Sequence, residues 1–239
     1  MSNTFKAILL AAGLGKRLRP LTFKKPKCLM EINKIPLLKI WLEKLVKLGC
    51  SEVLINTHYL EEQVTEFIEK YKPEQLKIKI SHEETLLGTA GTLIKNINFA
   101  DQTTLLMHTD NFTQCDLKGL LSMHKNKSKN CLLTMLTFNS QNPSSCGIVE
   151  TDEKGVLKNF HEKVKNPPSN IANGAIYVFD REFVSWLKDQ NQEFKDFSKD
   201  VIPCLTNRIQ TWHTNDFFVD IGTPESLLLA QRETNRKKD

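Results

Sequence analysis

Residues 1–30 read MSNTFKAILLAAGLGKRLRPLTFKKPKCLM, and this stretch decides how the chain folds. It contains seven Lys and Arg residues and no acid. The rest of the chain, with 26 of the 33 basic residues and all 28 acidic ones, carries a net charge of −2. The basic loop follows an apolar run, residues 7–12, and Gly13 and Gly15 open it. Because glycine lets backbone N–H groups approach phosphate oxygens, the segment predicts a polyanion site at the end of a buried strand.

The overall composition narrows the class of protein. With 239 residues and 40% hydrophobic content, the chain can bury a core. No apolar run approaches the about 20 residues that span a bilayer, so we expect no membrane partner. The six cysteines are scattered without a C-x-x-C pair, which argues against a zinc site or a disulfide framework and favours the cytoplasm. Because the basic excess is confined to one loop, we expect no nucleic-acid partner either.

The first half of the chain alternates apolar strands with amphipathic helices, the order of a mostly parallel sheet covered on both faces. In such sheets, ligands bind at the carboxyl ends of the strands. The predicted strands are residues 6–12, 52–56, 77–82 and 103–108, and the predicted helices run from Pro36 to Gly49, over residues 61–71 with Val64, Phe67 and Ile68 inward, and after Gly91.

The second half is richer in strands, with turn signals at residues 142–144 and 152–155. We predict a single α/β domain, with a nucleotide half over residues 1–115 and a second-substrate half over residues 116–239. The predicted strands are residues 131–138, 147–151, 156–162, 173–179, 209–213 and 217–220, and the predicted helices are residues 181–189, 197–205 and a last one from Pro224 into the basic end 232–238.

The loop over residues 13–27 carries the strongest chemical signal. It is not a Walker A loop, and Leu18 stands where a Rossmann fingerprint needs its third glycine. Arg17 and Lys27 lie ten residues apart on a loop that folds back at Pro20 and Pro26. The two cations could therefore reach one triphosphate, one as a bidentate fork and one as a point charge. The alternative is a solvated basic loop.

At this point the chain resembles the sugar-1-phosphate nucleotidylyltransferases, and most of all the mannose-1-phosphate guanylyltransferases. Their signature L-A-A-G-x-G-x-R-L-x-P-L-T, followed by K-P-K-x-L, stands at residues 10–22 and 25–29. The resemblance covers residues 6–230 and implies a Rossmann-like, GT-A-like mixed sheet flanked by helices. Further segments agree in order: LGTAG (87–91), DN (110–111), GIVE (147–150), EK (162–163), NGAIYVF (173–179) and DIGTP (220–224).

The resemblance implies a reaction in which an NTP and a sugar 1-phosphate give an NDP-sugar and pyrophosphate. A sugar-phosphate oxygen attacks the α-phosphorus in line, and catalysis is mainly positioning and charge stabilisation. Arg17 and Lys27 are then the catalytic cations. The implied nucleotide-binding residues are Ala11, Ala12, Gly13, Leu14, Gly15, Lys16, Asn56, Glu83, Gly88 and Thr89, and the implied sugar-phosphate-binding residues are Gly147, Glu162, Lys163 and Asn173.

Asp110 and Asp220 each follow or end a predicted strand and are the predicted ligands of Mg²⁺, a hard cation that prefers oxygen. The alternative for an Asp after a strand is a turn or N-cap residue. Thr109 stands where the family usually has glycine, and a β-branched residue does not easily take a positive φ. The turn or the ribose contacts must therefore differ there. His108 is a further metal-ligand candidate, with an ordinary hydrogen-bonded histidine as the alternative.

The base and the sugar are less strongly indicated. Glu83 lies five residues before Gly88, as in guanylyltransferases, and its carboxylate can accept from the two donors on guanine's edge. This favours GTP, with Glu84 as a rival acid and with UTP and CTP as alternatives. The usual E-K-P triplet is E-K-V here, which leaves the path of the loop over residues 165–170 open. The sugar is therefore left open.

Two other classes of function remain as alternatives. A non-catalytic regulatory homologue would bind nucleotide without turnover, although the retained Arg17, Lys27, Asp110 and Asp220 argue against it. A glycosyltransferase also places an Asp and a metal beside a nucleotide-sugar, but would not need the triphosphate loop. Edge strands of the second half could pair with another copy, so a homo-oligomer is one option. The resemblance implies a role in supplying polysaccharide or glycoconjugate precursors.

Overall fold

The computed structural model describes residues 4–236, which form an α/β fold. The strands are β1 (Phe5–Leu10), β2 (Glu31–Ile32), β3 (Ile35–Pro36), β4 (Cys50–Thr57), β5 (Lys77–His82), β6 (Thr104–His108), β7 (Asn111–Thr113), β8 (Leu133–Asn139), β9 (Gly147–Thr151), β10 (Leu157–Glu162), β11 (Ile171–Phe179), β12 (Ile209–Thr214) and β13 (Phe218–Asp220). The helices are α1 (Leu37–Lys47), α2 (Glu61–Tyr71), α3 (Gly88–Lys95), α4 (Lys118–Lys125), α5 (Arg181–Lys188) and α6 (Pro224–Arg236).

The chain divides into two compact units. Unit 1 takes its described residues from Met1–Leu86, Met107–Gln114 and Phe217–Asp239. Unit 2 comprises Leu87–Leu106 and Cys115–Asp216. The end of the chain therefore folds with its beginning. The assignment of a nucleotide half and a second-substrate half to residues 1–115 and 116–239 stays a prediction.

Unit 1 is built on parallel strands. β4 lies between β1 and β5 and is parallel to both, with Ile8 opposite Leu54 and Ile55 opposite Ile80. β1 and β4 are largely apolar because both faces of a parallel sheet are covered, whereas β5 at the edge alternates exposed and partly buried residues. Helix α1 buries Leu38, Trp41, Leu42 and Leu45, spaced three or four residues apart as on one helix face. The carboxyl ends of β1 and β4 thus come to lie side by side.

A second core in unit 1 joins the basic loop to the end of the chain. β13 pairs antiparallel with β7, which sets Asp220 opposite Asn111. Behind this ribbon, α6 packs Leu227 and Ala230 against Leu18 of the loop. The same cluster contains Met30, Ile32, Leu37, Phe112 and Ile221. Two segments far apart in sequence are therefore held together by apolar packing, before any polar contact is considered.

Unit 2 is a mixed arrangement of strands. β9 pairs antiparallel with β10 and β11, β8 pairs antiparallel with β11, and β12 runs parallel to β8. An aromatic cluster fills the interior, with the ring centroids of Tyr177 and Phe197 4.6 Å apart and those of Phe179 and Phe183 4.8 Å apart. The antiparallel pairing brings Gly147 opposite Glu162.

The predicted fold class, a mixed, mostly parallel α/β sheet flanked by helices, is confirmed. Two element predictions are wrong in part: the helix expected after Gly91 begins at Gly88, and residues 197–205 form a π-helical turn followed by a 3₁₀ turn instead of one regular helix. Phe67 is half-exposed, although Val64 and Ile68 are buried as predicted. Lys237 and Lys238 of the predicted basic end lie outside the described residues.

The described residues contain no helix that is both long and apolar enough to cross a membrane. All six cysteines are free thiols, and four of them are buried. Burial raises the pKa of the Cys28 and Cys50 thiols to about 12, which keeps both of them protonated at neutral pH.

Candidate active site

Contacts between residues of the loop after β1 hold it in a tight conformation. Gly15 has a φ of 61°, a left-handed conformation that side chains disfavour, and a Cβ there would lie 2.7 Å from the Thr22 side chain. The Thr22 hydroxyl donates to the Gly15 carbonyl over 2.8 Å. The Thr22 carbonyl in turn accepts from the Tyr59 hydroxyl, also over 2.8 Å. The glycine therefore lets the loop fold tightly enough to direct its cations to one place.

Lys27 contacts both predicted metal ligands. Its Nζ donates to Asp110 Oδ2 and lies 3.3 Å from Asp220 Oδ1. The Lys27 side chain is 11% exposed, and that of Asp110 is 22% exposed. A 3₁₀ turn fixes the lysine backbone, because the Met30 N–H donates to the Lys27 carbonyl over 3.1 Å. Two carboxylates and one ammonium therefore converge on a single point in unit 1.

The charges of this group stabilise one another. Burial alone would lower the pKa of Lys27, but the carboxylates of Asp110 and Asp220 outweigh it and leave that pKa raised. Burial works in the opposite direction on Asp110, yet Lys27 and then His108 pull the pKa of this carboxyl below its ordinary value. Lys27 and Asp110 are therefore both charged at neutral pH.

Arg17 approaches the same group from the solvent side. Its Nη2 lies 3.2 Å from Asp220 Oδ2, and its side chain is 67% exposed. The approach requires Gly222, because a Cβ at that position would lie 2.9 Å from Arg17 Nη2 and 3.0 Å from Asp220 Oδ2. Arg17, Lys27, Asp110 and Asp220 are called the carboxylate–cation cluster below. Its exposed edge offers an arginine fork of the kind that binds phosphate.

The backbone holds the two carboxylates side by side. The Ile221 N–H donates to the Asp110 carbonyl over 2.8 Å, directly beyond the paired strands β7 and β13. Ile221 is itself fully buried in the apolar cluster behind the ribbon. Asp110 and Asp220 therefore converge for a structural reason, as their positions at strand ends predicted.

Thr109, which stands where the family usually has glycine, is bonded to the end of β1. It is not among the described residues with positive φ, so it has no left-handed strain. Its backbone N–H and its hydroxyl both bond the Leu10 carbonyl, over 3.1 and 2.8 Å. Next to it, His108 Nδ1 lies 3.9 Å from Asp110 Oδ1. His108 therefore acts on the charge of Asp110 from outside hydrogen-bonding distance.

The predicted base reader, Glu83, is buried in a network with Asn56. Glu83 is 1% exposed and accepts from Asn56 Nδ2 over 2.9 Å. Asn56 Oδ1 in turn accepts from the Ala11 N–H over 2.6 Å. The structure thus brings together three of the predicted nucleotide-binding residues, Ala11, Asn56 and Glu83, through contacts with one another. Whether Glu83 also contacts a base stays a prediction.

The other predicted nucleotide-binding residues lie in two places. Ala12 is buried at the end of β1, whereas Gly13 and Lys16 are exposed on the basic loop with Leu14 half-buried between them. Gly88 and Thr89 belong to unit 2. A Cβ on Gly88 would lie 2.3 Å from the Lys195 carbonyl oxygen, and Thr89 Oγ1 accepts from the Phe197 N–H over 2.7 Å. Both residues dock α3 within unit 2, and their nucleotide contacts stay a prediction.

Three of the four predicted sugar-phosphate residues lie together in unit 2. Gly147 pairs with Glu162, and a Cβ there would lie 2.7 Å from Glu162 Oε2. Lys163 has a φ of 51°, and its Nζ lies 3.4 Å from Glu162 Oε1. Asn173, on β11, donates to the Tyr177 hydroxyl over 2.7 Å and accepts from the Ala175 N–H. A carboxylate and an exposed ammonium are thus presented on one turn.

Sequence reasoning missed the residues that tighten the cluster. Gly222, Ile221 and Thr22 each make the close approaches described above, yet none was a candidate. Gly222 and Ile221 stand in the DIGTP segment and Thr22 in the P-L-T segment, so the motifs contained the signal. The motifs did not show what these residues do. The role of Gly222, for example, depends on its close approach to Arg17, some 200 residues away in the sequence.

The donor set of the cluster fits a divalent cation of the Mg²⁺ type. Asp110 and Asp220 present carboxylate oxygens to the same point, and Mg²⁺ typically takes one or two carboxylates together with waters and substrate phosphates. No group of three or more His, Cys, Asp or Glu side chains that could hold a metal occurs in the part of the chain that the structure describes. A cation here would therefore need oxygen ligands from a substrate or water.

A family model described as nucleotidyl transferase matches residues 6–237. The chain belongs to this family. The match covers both units, including the basic loop, the two strand-end aspartates and the sugar-phosphate candidates of unit 2. The prediction of the nucleotidylyltransferase family from the motifs is thereby confirmed.

Several members of the nucleotidyl transferase family are similar over nearly the whole chain. A mannose-1-phosphate guanylyltransferase catalytic subunit beta of Drosophila pseudoobscura pseudoobscura is 32% identical over 95% of the chain, which spans 62% of that relative's length. A D-glycero-alpha-D-manno-heptose 1-phosphate guanylyltransferase of Campylobacter jejuni is 32% identical over 92% of the chain and 96% of its own length. A UTP–glucose-1-phosphate uridylyltransferase of Synechocystis is 30% identical over 91% of the chain and 60% of its own length.

The fold agrees with solved structures of the same class. A putative glucose-1-phosphate thymidylyltransferase of Bacillus anthracis superposes with a TM-score of 0.84, covering 96% of this chain and 95% of its own. The sequence identity is 20%, so this likeness supports the fold alone.

Proposed function

We propose that this member of the nucleotidyl transferase family transfers a nucleotidyl group from an NTP to a sugar 1-phosphate and releases pyrophosphate. A sugar-phosphate oxygen attacks the α-phosphorus, the bond to the β-phosphate oxygen breaks, and pyrophosphate leaves with that electron pair. The observation that carries the proposal is the carboxylate–cation cluster, in which Arg17 and Lys27 meet Asp110 and Asp220 beside a glycine-opened loop.

The two cations divide the work on the triphosphate. Arg17 is the exposed fork of the cluster, and we assign it to the β- and γ-phosphates that leave as pyrophosphate. Lys27 is the buried point charge, and we assign it to the α-phosphate, where negative charge grows in the transition state. The backbone of residues 12–15, together with Lys16, would cradle the ribose and phosphates. Because such transfers need little covalent chemistry, positioning and charge carry the rate.

We assign Asp110 and Asp220 to Mg²⁺. When bound, the cation neutralises charge on the phosphate oxygens, which weakens the repulsion between the nucleotide and the incoming sugar phosphate. The support is the convergence of the Asp110 and Asp220 carboxylates on one point, where the Lys27 ammonium lies.

GTP is the nucleotide we favour. Two of the relatives above are named guanylyltransferases, and Glu83 supplies a carboxylate that can accept from guanine while it also accepts from Asn56. The Synechocystis relative is named a uridylyltransferase, so UTP is the main alternative. Gly88 and Thr89 would complete the nucleotide contacts through their backbone.

For the sugar 1-phosphate, we assign Glu162 to hydroxyl groups and Lys163 to the phosphate, with Gly147 and Asn173 as further contacts. The names of the relatives suggest mannose, manno-heptose and glucose 1-phosphates as the first compounds to try. The product class would feed polysaccharide or glycoconjugate assembly. We place the reaction in the cytoplasm, and a homo-oligomer stays an open prediction.

A matrix of pyrophosphate-release assays tests the proposal. Purified chain with Mg²⁺ is incubated with each of GTP, UTP, CTP, ATP and dTTP against each sugar 1-phosphate, and pyrophosphate is measured. At least one pair should release pyrophosphate in an amount equal to the NDP-sugar formed, and chelating the metal should stop it. Calorimetric NTP binding without release in any pair would favour a non-catalytic homologue, and transfer from an NDP-sugar without NTP use would favour a glycosyltransferase.

A further inference from the structure

Lys27 lies on the same carboxylate oxygens that the proposed function assigns to a divalent cation. Its ammonium contacts Asp110 Oδ2 and Asp220 Oδ1, one oxygen from each carboxylate. Only 11% of the Lys27 side chain is exposed, so little water screens these contacts. An ammonium on these two oxygens competes with a metal ion for them, because two cations in contact with the same oxygens repel each other.

The lysine offsets a repulsion that would otherwise be severe. Asp110 and Asp220 carry two negative charges towards one point, and Lys27 is their common partner. Arg17 touches only the outer oxygen of Asp220 and is largely exposed, so it compensates less. If the ammonium were removed, the two carboxylates would face each other, and a divalent cation would be the strongest available replacement.

The Lys27 ammonium can change its partner while the backbone of the residue stays in place. The backbone of Lys27 is held by its 3₁₀ turn through the 3.1 Å bond from Met30. Its ammonium stands at the end of a flexible four-carbon stem and presents rotatable donors, unlike a planar guanidinium fork. Movement can therefore be confined to the side chain.

We propose that Lys27 is a built-in competitor for the metal ion: a divalent cation that binds Asp110 and Asp220 displaces the Lys27 ammonium and releases it towards the nucleotide phosphates. This inference rests on the proposed metal site. It makes metal binding and phosphate binding mutually supportive, because a phosphate that takes up Lys27 leaves the two carboxylates to the metal. By reciprocity, the metal must then raise the affinity for phosphate by the same factor.

The test measures Mn²⁺ binding to the full chain without nucleotide, by the paramagnetic signal of free Mn²⁺. Mn²⁺ prefers oxygen ligands as Mg²⁺ does. Lys27→Met should bind Mn²⁺ at least tenfold more tightly than the unaltered chain. Lys27→Gln, which keeps an amide donor for Asp110, serves as a second variant if Lys27→Met folds poorly, and should show the same gain.

Lys25→Met is the matched control. Lys25 lies two residues away and pairs with Glu31 over 2.5 Å, so its replacement removes one positive charge from the loop without touching the two carboxylates. Its Mn²⁺ affinity should stay within threefold of the unaltered chain. A melting experiment adds a second readout, since Mg²⁺ should raise the Tm of Lys27→Met more than that of the unaltered chain.

Equal, weaker or undetectable Mn²⁺ binding by folded Lys27→Met and Lys27→Gln overturns the inference, as does an equal gain in Lys25→Met. The outcome is separable from that of the proposed function. If the unaltered chain releases pyrophosphate but the variants show no gain, only the competition fails. If the variants show the gain but no nucleotide and sugar pair reacts, the competition stands and the proposed reaction fails.

Discussion

Asp110 and Asp180 occupy the same kind of position, after a buried strand, but they make different contacts. Each follows a buried strand, β6 for Asp110 and β11 for Asp180, and each has a pKa below its ordinary value. Asp180 accepts from the Thr103 hydroxyl over 2.6 Å, and His124 Nε2 and Lys127 Nζ lie 3.0 and 3.3 Å from its other oxygen. His124 Nδ1 contacts the Thr134 hydroxyl over 2.9 Å.

These contacts hold segments of unit 2 together. We call the residues that make them the Asp180 network: Thr103, His124, Lys127, Thr134 and Asp180. His124 is 2% exposed and Thr134 is fully buried, so two of the five residues lie inside the fold. Asp180 also stands at the N-cap position of α5, but its side chain makes no capping hydrogen bond there. The comparison teaches that a strand-end aspartate and a lowered pKa do not identify a site by themselves; Asp110 differs in sharing its ammonium with a second carboxylate, Asp220.

Replacing each of the two aspartates has the largest expected effect and tests whether their roles differ. Asp110→Asn should lower kcat by at least about 100-fold, because it removes a ligand of the proposed metal and a partner of Lys27. Asp180→Asn, the matched control, should keep kcat within about threefold at 25 °C, since it acts on the fold alone. Steady-state pyrophosphate release measures both. Equal losses of kcat in the two variants would show that Asp110, like Asp180, acts only on the fold.

Arg17→Ala should lower kcat by about 100-fold while the Tm changes little, because the side chain is 67% exposed and packs on few groups. Arg19→Ala is the control. Arg19 is exposed on the same loop and lies over the Phe23 ring, 5.0 Å from its centroid, so its loss removes equal charge without touching the cluster. Near-unaltered turnover in Arg17→Ala would remove Arg17 from the proposed chemistry.

Gly222→Ala should lower kcat by about tenfold, equivalent to about 1.4 kcal/mol. The new Cβ, 2.9 Å from Arg17 Nη2, pushes the guanidinium away from Asp220, and the flexible arginine can move at little cost in stability. Gly88→Ala offers a contrast, because its Cβ meets backbone at 2.3 Å and at a positive φ, so it should lower the Tm. A large loss of stability in Gly222→Ala would contradict the flexible-arginine explanation.

The Asp180 network should appear in the pH dependence of stability. Because the pKa of Asp180 is lowered in the folded chain, its contribution is present above the unfolded value of about 3.9 and is lost as pH falls through the folded pKa. Asp180→Asn should therefore cost about 1–2 kcal/mol of unfolding free energy at pH 7 and less at pH 3. Urea unfolding at both pH values measures this, and a cost that is the same at both would count against the ion pairs.

The sequence predicted β1 and β4 of unit 1, because a buried parallel strand is marked by its own residues, but not the short strands β2, β3 and β7. The apolar run at residues 7–12 and the segment at residues 52–56 needed no knowledge of their partners. The convergence of Asp110 and Asp220 was expected from their positions after strands, but the antiparallel ribbon of β7 and β13 that produces it was not predicted.

The remaining features depend on contacts that no local pattern contains. Helix α3 begins at Gly88 and not after Gly91, because the Lys195 carbonyl accepts from the Ala90 N–H and leaves no room for a Cβ at Gly88. The π-helical turn after Asp196 is an exception, because nearby residues hold it: the Asp196 carboxylate accepts from the Lys199 N–H, and Pro203 lies in the 3₁₀ turn that follows. The contact between Glu83 and Asn56 was not predicted, although Asn56 lies near the end of β4 and Glu83 follows the neighbouring strand β5.

The most direct measurement follows the α-phosphate itself. The chain is incubated with Mg²⁺, a sugar 1-phosphate panel and GTP or UTP labelled with ³²P at the α-phosphate, and the products are separated. The proposed reaction predicts that the label moves into an NDP-sugar, with one unlabelled pyrophosphate per turnover, and that Asp110→Asn loses this transfer while Asp180→Asn keeps it. Label that stays in the NTP with every sugar phosphate, or appears only in free mononucleotide, would contradict nucleotidyl transfer by the carboxylate–cation cluster.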